Sequence, residues 1–106
     1  MPNYDNSSVL TPNRKKESIK LEPPSLYTVK FWNDDQTTYD FVAWVLVEVF
    51  QKNFDEAYEI ADKIHLTGFA TVGVFSADVA QTKVKRVQQE AQSEGFPFKC
   101  QKEPII

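Results

Sequence analysis

Between Leu26 and Gln51 the apolar pattern changes period once, and that change constrains the architecture more than anything else in the chain. Leu26 to Trp32 alternates, with Tyr27, Val29 and Phe31 on one face and Thr28 and Lys30 on the other, as in a strand with one wetter side. From Thr38 to Gln51 the spacing turns helical: Phe41, Val42, Val45, Leu46, Val49 and Phe50 form one broad face for burial. Between the two stand Asn33, Asp34 and Asp35, short polar side chains that cannot all face a core. Such residues make turns and cap helices, and they also offer a tight set of acceptors to something outside. Thr37 is the expected N-cap, with Asp40 three residues on as a near relative of the capping box and well placed against the helix dipole. Trp44 projects close to the polar side of this helix and reads as a contact residue or a partly covered surface aromatic rather than core.

A second helix is announced by Asn53-Phe54-Asp55-Glu56, where Asn53 caps and Glu56 reaches back. Its stripe is Phe54, Ala57, Tyr58, Ala61, Ile64 and His65, and Gly68 stops it. Phe69 to Phe75 is a second strand, in which Gly73 marks a bulge or a close backbone approach. Ser76 caps a third helix with a narrow apolar face of Ala80, Val84, Val87 and Ala91, ended by Gly95. Phe96 to Lys102 gives a last strand with Phe98 and Cys100 inward. The order is β-α-α-β-α-β: an α+β two-layer sandwich of a three-stranded antiparallel sheet and three helices, spanning 25–106. Residues 1–24, with four prolines and scattered apolar side chains, read as a flexible N-terminal tail.

The 106 residues suffice for one domain and one core. A net charge of -3 leaves no basic footprint, so nucleic acid is not an expected partner. No apolar run is long enough to span a membrane, and the first residues lack the apolar centre of a signal peptide. Cys100 is the single cysteine, which excludes an intrachain disulfide, fits a reducing cytoplasm and, with one histidine, excludes a Cys/His zinc site within the chain. An enzyme would need His65 as a base beside Asp34 or Asp35, with no activated Ser or Cys and no phosphate-cradling glycine loop to support it. The spacing of Asp34, Asp35, Asp40 and His65 matches no known metal loop. No enzyme, metal or cofactor is expected. Read alone, the third helix's Asp78, Gln81, Lys83, Lys85 and Arg86 are a solvated face.

An ordered set of short motifs adds to this reading: Pro23-Pro24-Ser25-Leu26-Tyr27, Asn33-Asp34-Asp35-x-Thr37, Phe41-Val42, Ile64-His65-x-x-Gly68, Gly73-Val74-Phe75, Ala80-x-Thr82-Lys83 and Gly95-x-Pro97-x-x-Cys100. Each is weak alone. In this order and spacing, over about residues 23 to 103, the chain resembles the ClpS family of adaptors for the ClpA or ClpC unfoldases. The resemblance implies the same sandwich fold and a non-enzymatic role. Its ligand would be the free N-terminus of an N-degron protein beginning with a large residue such as Leu, Phe, Tyr or Trp. The ammonium has three donors, and Asn33 Oδ1, the Asp34 carboxylate and a neutral nitrogen of His65 can accept one each. The pocket for the first side chain is expected from Thr37, Tyr39, Val42, Ala43 and Leu46 on one side, Ala61 and Ile64 on the other, and Phe98 below.

The resemblance also places unfoldase contacts at Asp78 and Lys83 and gives the tail a part in handing substrate over. It departs at Tyr39 and Ala61, where bacterial members typically carry the adaptable Met, and at Thr38, where Pro is frequent. A rigid aromatic and a small residue imply a reshaped pocket, with Tyr39 placed to stack on an aromatic first residue. The alternative is a regulator of the same fold that docks the unfoldase with altered or lost N-terminal binding.

Overall fold

A computed structural model describes residues 25–105, and the expected tail at 1–24 lies outside the described residues. The elements run β1 (Leu26–Trp32), α1 (Tyr39–Glu48), α2 (Phe54–Thr67), β2 (Phe69–Ser76), α3 (Ala77–Glu94) and β3 (Lys99–Pro104). The sheet is antiparallel with order β2-β1-β3, so the first strand is central. That position follows from its sequence: Val29 and Phe31 are fully buried, and their neighbours Thr28, Lys30 and Trp32 lie on the open face. Lys30 Nζ sits 4.3 Å from the centroid of the Phe69 ring, and Lys99 Nζ sits 4.5 Å from that of Trp32, so cationic side chains cover the aromatics of that face.

The helices carry the other layer. All six expected apolar positions of α1 and its C-terminal flank are buried, from Phe41 to Phe50. The Phe31 ring meets Phe50 at 5.5 Å and Phe98 at 5.0 Å, both edge to face, which ties the central strand to the helical layer. The narrow stripe Ala80, Val84, Val87 and Ala91 is the buried face of α3. Asn53 and Glu56 form the expected capping box, and Gly68 and Gly95 end α2 and α3 at φ +97 and +77, a left-handed conformation that costs glycine little. Gly73 marks both the bulge and the close approach. The β1–β2 register shifts between Val29 and Lys30, and a Cβ on Gly73 would stand 2.9 Å from the Phe75 ring.

Several boundaries differ from the sequence expectation: β2 runs one residue further, to Ser76, β3 runs two further, to Pro104, and three others have a visible cause. The N-cap of α1 is Thr38, whose hydroxyl accepts from Phe41 N at 3.1 Å; Thr37 is unavailable because Asp34 binds both its amide and its hydroxyl. The helix ends at Glu48 rather than Gln51, because Gln51 turns to φ +54 and Lys83 Nζ caps the end, donating to Val49 O at 2.6 Å and Gln51 Oε1 at 3.1 Å. The last strand begins at Lys99 rather than Phe96: the Phe96 amide closes α3 by donating to Ala91 O at 2.9 Å, and Pro97 has no amide to give a ladder. Phe98 and Cys100 are inward as expected.

Candidate functional site

The turn after β1 is built by one carboxylate. Asp34 Oδ1 accepts from the amides of Gln36 at 2.8 Å and Thr37 at 2.7 Å, while Oδ2 accepts the Thr37 hydroxyl at 2.7 Å. Partial burial pushes the Asp34 pKa up, but the three hydrogen bonds outweigh it, and the net shift is below the usual 3.8. A carboxylate has about four acceptor positions, so the turn leaves a lone pair of Oδ2 for a donor from outside. The Asn33 amide donates to Gly68 O at 2.9 Å, pinning the turn to the C-terminal end of α2. With that bond and the adjoining Trp32–Phe69 pair of the sheet, residues more than thirty positions apart in sequence share one lip: Asn33 and Asp34 from the turn, His65 from the last turn of α2.

Behind the lip, α1 and α2 part to leave a cavity of about 590 Å³. Asn33, Asp34, Asp35 and His65 form its polar rim, and Thr37, Tyr39, Val42, Ala61 and Ile64 form its walls. Val42, Ala61 and Ile64 are nearly inaccessible, at 7%, 2% and 2% exposure, so the interior is apolar, whereas Tyr39 is 38% exposed at the margin. The Tyr39 hydroxyl shares its one proton between the Asp62 carboxylate and the more distant Tyr58 O, 3.3 Å away. The hydrogen bond to Asp62, then burial and the nearby charge, raise this phenol's pKa to about 12, so it keeps its proton.

Three expected wall residues lie elsewhere. Leu46 is fully buried in the core and does not line the cavity. Phe98 packs against Phe31 and Phe41. Ala43 lines a separate shallow groove with Trp44, Val47, Phe54 and Tyr58. Conversely, Asp35 joins the rim without having been assigned to it, although the Asn33-Asp34-Asp35 triplet carried the signal. Asp78 and Lys83 share a small groove on α3 with Val79 and Thr82, well apart in the chain from the cavity, and the Lys83 ammonium is already engaged at the end of α1. Among the described residues, no group of three or more His, Cys, Asp and Glu side chains converges on a point where a metal could sit, and no helix is long and apolar enough to cross a membrane.

Residues 22–101 match the model of the family described as "ATP-dependent Clp protease adaptor protein ClpS". The chain belongs to the ClpS family. The ClpS of Desulfatibacillum aliphaticivorans is 42% identical over 103 residues, covering 97% of this chain and 95% of that one. The ClpS of Paracidovorax citrulli is 41% identical, covering 98% and 83%. Among solved structures, Agrobacterium tumefaciens ClpS2 bound to L-phenylalaninamide superposes with a TM-score of 0.74 at 36% identity, covering 77% of this chain and 99% of that chain. ClpS proteins are adaptors of the Clp protease rather than enzymes, and this chain shares their α+β sandwich.

Proposed function

We propose that this chain binds the free N-terminal residue of N-degron polypeptides and delivers them to a Clp unfoldase of the ClpA or ClpC type. The observation that carries the reading is a polar lip of acceptors set directly on an apolar cavity. An N-terminal residue has the matching shape, a triply donating ammonium and an apolar side chain borne on the same carbon. Asn33 Oδ1, the open lone pair of Asp34 Oδ2 and a neutral nitrogen of His65 would each accept one ammonium proton. Val42, Ala61, Ile64, Thr37 and Tyr39 would enclose the side chain, which contributes roughly 1.5–3 kcal/mol for a Leu or Phe. The ligand of the Agrobacterium relative, L-phenylalaninamide, carries both a free α-amino group and an apolar ring.

Charge-assisted hydrogen bonds are worth about 1.5–3 kcal/mol each, so an acetylated terminus should bind far more weakly than a free one. Titration with peptides beginning Leu, Phe, Tyr or Trp, free and acetylated, tests this directly; equal binding of both forms would refute ammonium recognition. Affinity should also fall as pH rises past about 8, where the peptide's α-amine loses its proton. Delivery would use Asp78 and Lys83 as docking residues on α3, with the segment 1–24 engaging the unfoldase during hand-over, in the cytoplasm. The second reading, a docking regulator without N-terminal binding, draws on Tyr39, whose ring occupies the cavity margin. It would be favoured if the chain bound a Clp unfoldase but no free N-terminus.

A further inference from the structure

The helices that wall the cavity are laced together by two tyrosine hydroxyls reaching in opposite directions. Tyr39, at the start of α1, sends its hydroxyl to the Asp62 carboxylate on α2. Tyr58, on α2, sends its hydroxyl back to Asp40 Oδ1 on α1 at 3.4 Å. The two rings lie between these bonds, 5.6 Å apart and tilted by 45°. Tyr39 and Ala61 both line the cavity, and Asp62 directly follows Ala61 on α2. The tyrosine ring is therefore held at both ends, its Cα on α1 and its hydroxyl on α2, beside a wall position made roomy by alanine.

We propose that the Tyr39–Asp62 bond sets the specificity of the N-terminal-residue site, holding the Tyr39 ring as a fixed flat wall that selects aromatic first residues over branched aliphatic ones. This rests on the amine-recognition reading above. A tyrosine 38% exposed and lacking such a tether would turn among rotamers and give an adaptable wall that accepts Leu as readily as Phe. A ring held in place can instead offer an aromatic ligand the offset or edge-to-face geometry that favours ring pairs beyond simple area burial. Space beside Ala61 admits the second ring. Asp62 is not among the lining residues, so it acts as a positioning residue through Tyr39. Its carboxylate makes the tether charge-assisted, and a phenol raised to about 12 keeps the donating proton throughout the neutral range.

The test uses the full chain and peptides identical except for a first residue of Phe, Trp or Leu, read by fluorescence anisotropy. The unmodified chain should bind the Phe and Trp peptides roughly three- to tenfold more tightly than the Leu peptide. Tyr39→Phe, which removes the hydroxyl's bonds to both Asp62 and Tyr58 O, should bring that ratio to within about twofold. Asp62→Ala, which leaves only the longer bond to the uncharged Tyr58 O, should remove most of the preference, and the double variant should do no more than Tyr39→Phe. Asp62→Asn keeps an acceptor and should retain most of the preference, which a general loosening of α2 would not explain. Asp62 is exposed, and a thermal melt of each variant checks that it folds. An unmodified chain with no aromatic preference, or a preference unchanged in Asp62→Ala, overturns the proposal and leaves amine recognition standing. Equal binding of acetylated peptides, or no binding of free ones, overturns the site reading and the proposal together.

Discussion

The lip of the cavity and its walls are held by different kinds of contact. At the lip, Asp34 satisfies residues two and three positions away, and one backbone bond from Asn33 reaches the end of α2. Two of the three acceptors, Asn33 and Asp34, sit in a turn that forms almost by itself, and the bond from Asn33 to Gly68 holds that turn against the end of α2 that carries His65. The walls depend on α1 and α2 meeting, through tyrosine and aspartate partners 18 and 23 positions apart. A locally determined lip suits a ligand group that never varies, the ammonium. Walls determined by packing can drift by single substitutions, and they meet the part of the ligand that does vary.

This contrast can be broken most easily at Asp34. Asp34→Ala should weaken binding of every free N-terminus by about ten- to a hundredfold, uniformly across first residues, in a titration series. A loss confined to one first residue would place Asp34 with the walls instead. Lys83→Ala removes the cation that caps the far end of α1, and urea unfolding should show a loss of about 1–2 kcal/mol while affinity for free peptides stays within about twofold. A large affinity loss would mean that the walls depend on that end of the helix. Ala61→Met should fill part of the cavity and weaken the Trp peptide about fivefold more than the Leu peptide, with acetylated peptides still excluded.

The smallest expected effect concerns pH. The folded-state pKa of Asp34 is lowered, so its stabilising contribution is complete above the unfolded value of 3.8 and is lost as pH falls through the folded value beneath it. Melting temperatures of the unmodified chain and of Asp34→Asn should differ at neutral pH and converge in acid, as pH falls through the lowered folded value. A difference that persists in acid would show that the turn is held by something other than the carboxylate charge.

Much of this was legible in the sequence because it rests on near neighbours. The capping box of Asn53 and Glu56, the glycine stops at Gly68 and Gly95 and the stripe from Ala80 to Ala91 are all set within a few residues. The same applies to Asn33 and Asp34, crowded beside a strand end. What stayed out of reach depended on competition or distance. Thr37 and Thr38 are equally good caps on paper; Asp34 decides between them by claiming the first. Periodicity puts Val42 and Leu46 on one apolar face with Ala43 flanking it, and only the packing of the helices sends Val42 to the cavity, Leu46 to the core and Ala43 to a different groove. Asp62 had no sequence signal as a partner for Tyr39, since an exposed helical aspartate reads as solvated until the facing helix is known.

Cys100 offers a practical handle on all of these tests. It is 1% exposed on the inner face of the central sheet, and burial raises its thiol to about 12. Burial keeps the thiolate fraction low at neutral pH and shields the sulfur from reagents while the fold is intact. The native chain is thus effectively blank to maleimide chemistry, so a cysteine introduced at an exposed position can carry a single reporter dye with the natural thiol left in place. Conversely, any labelling of the unaltered protein would time the opening of its core.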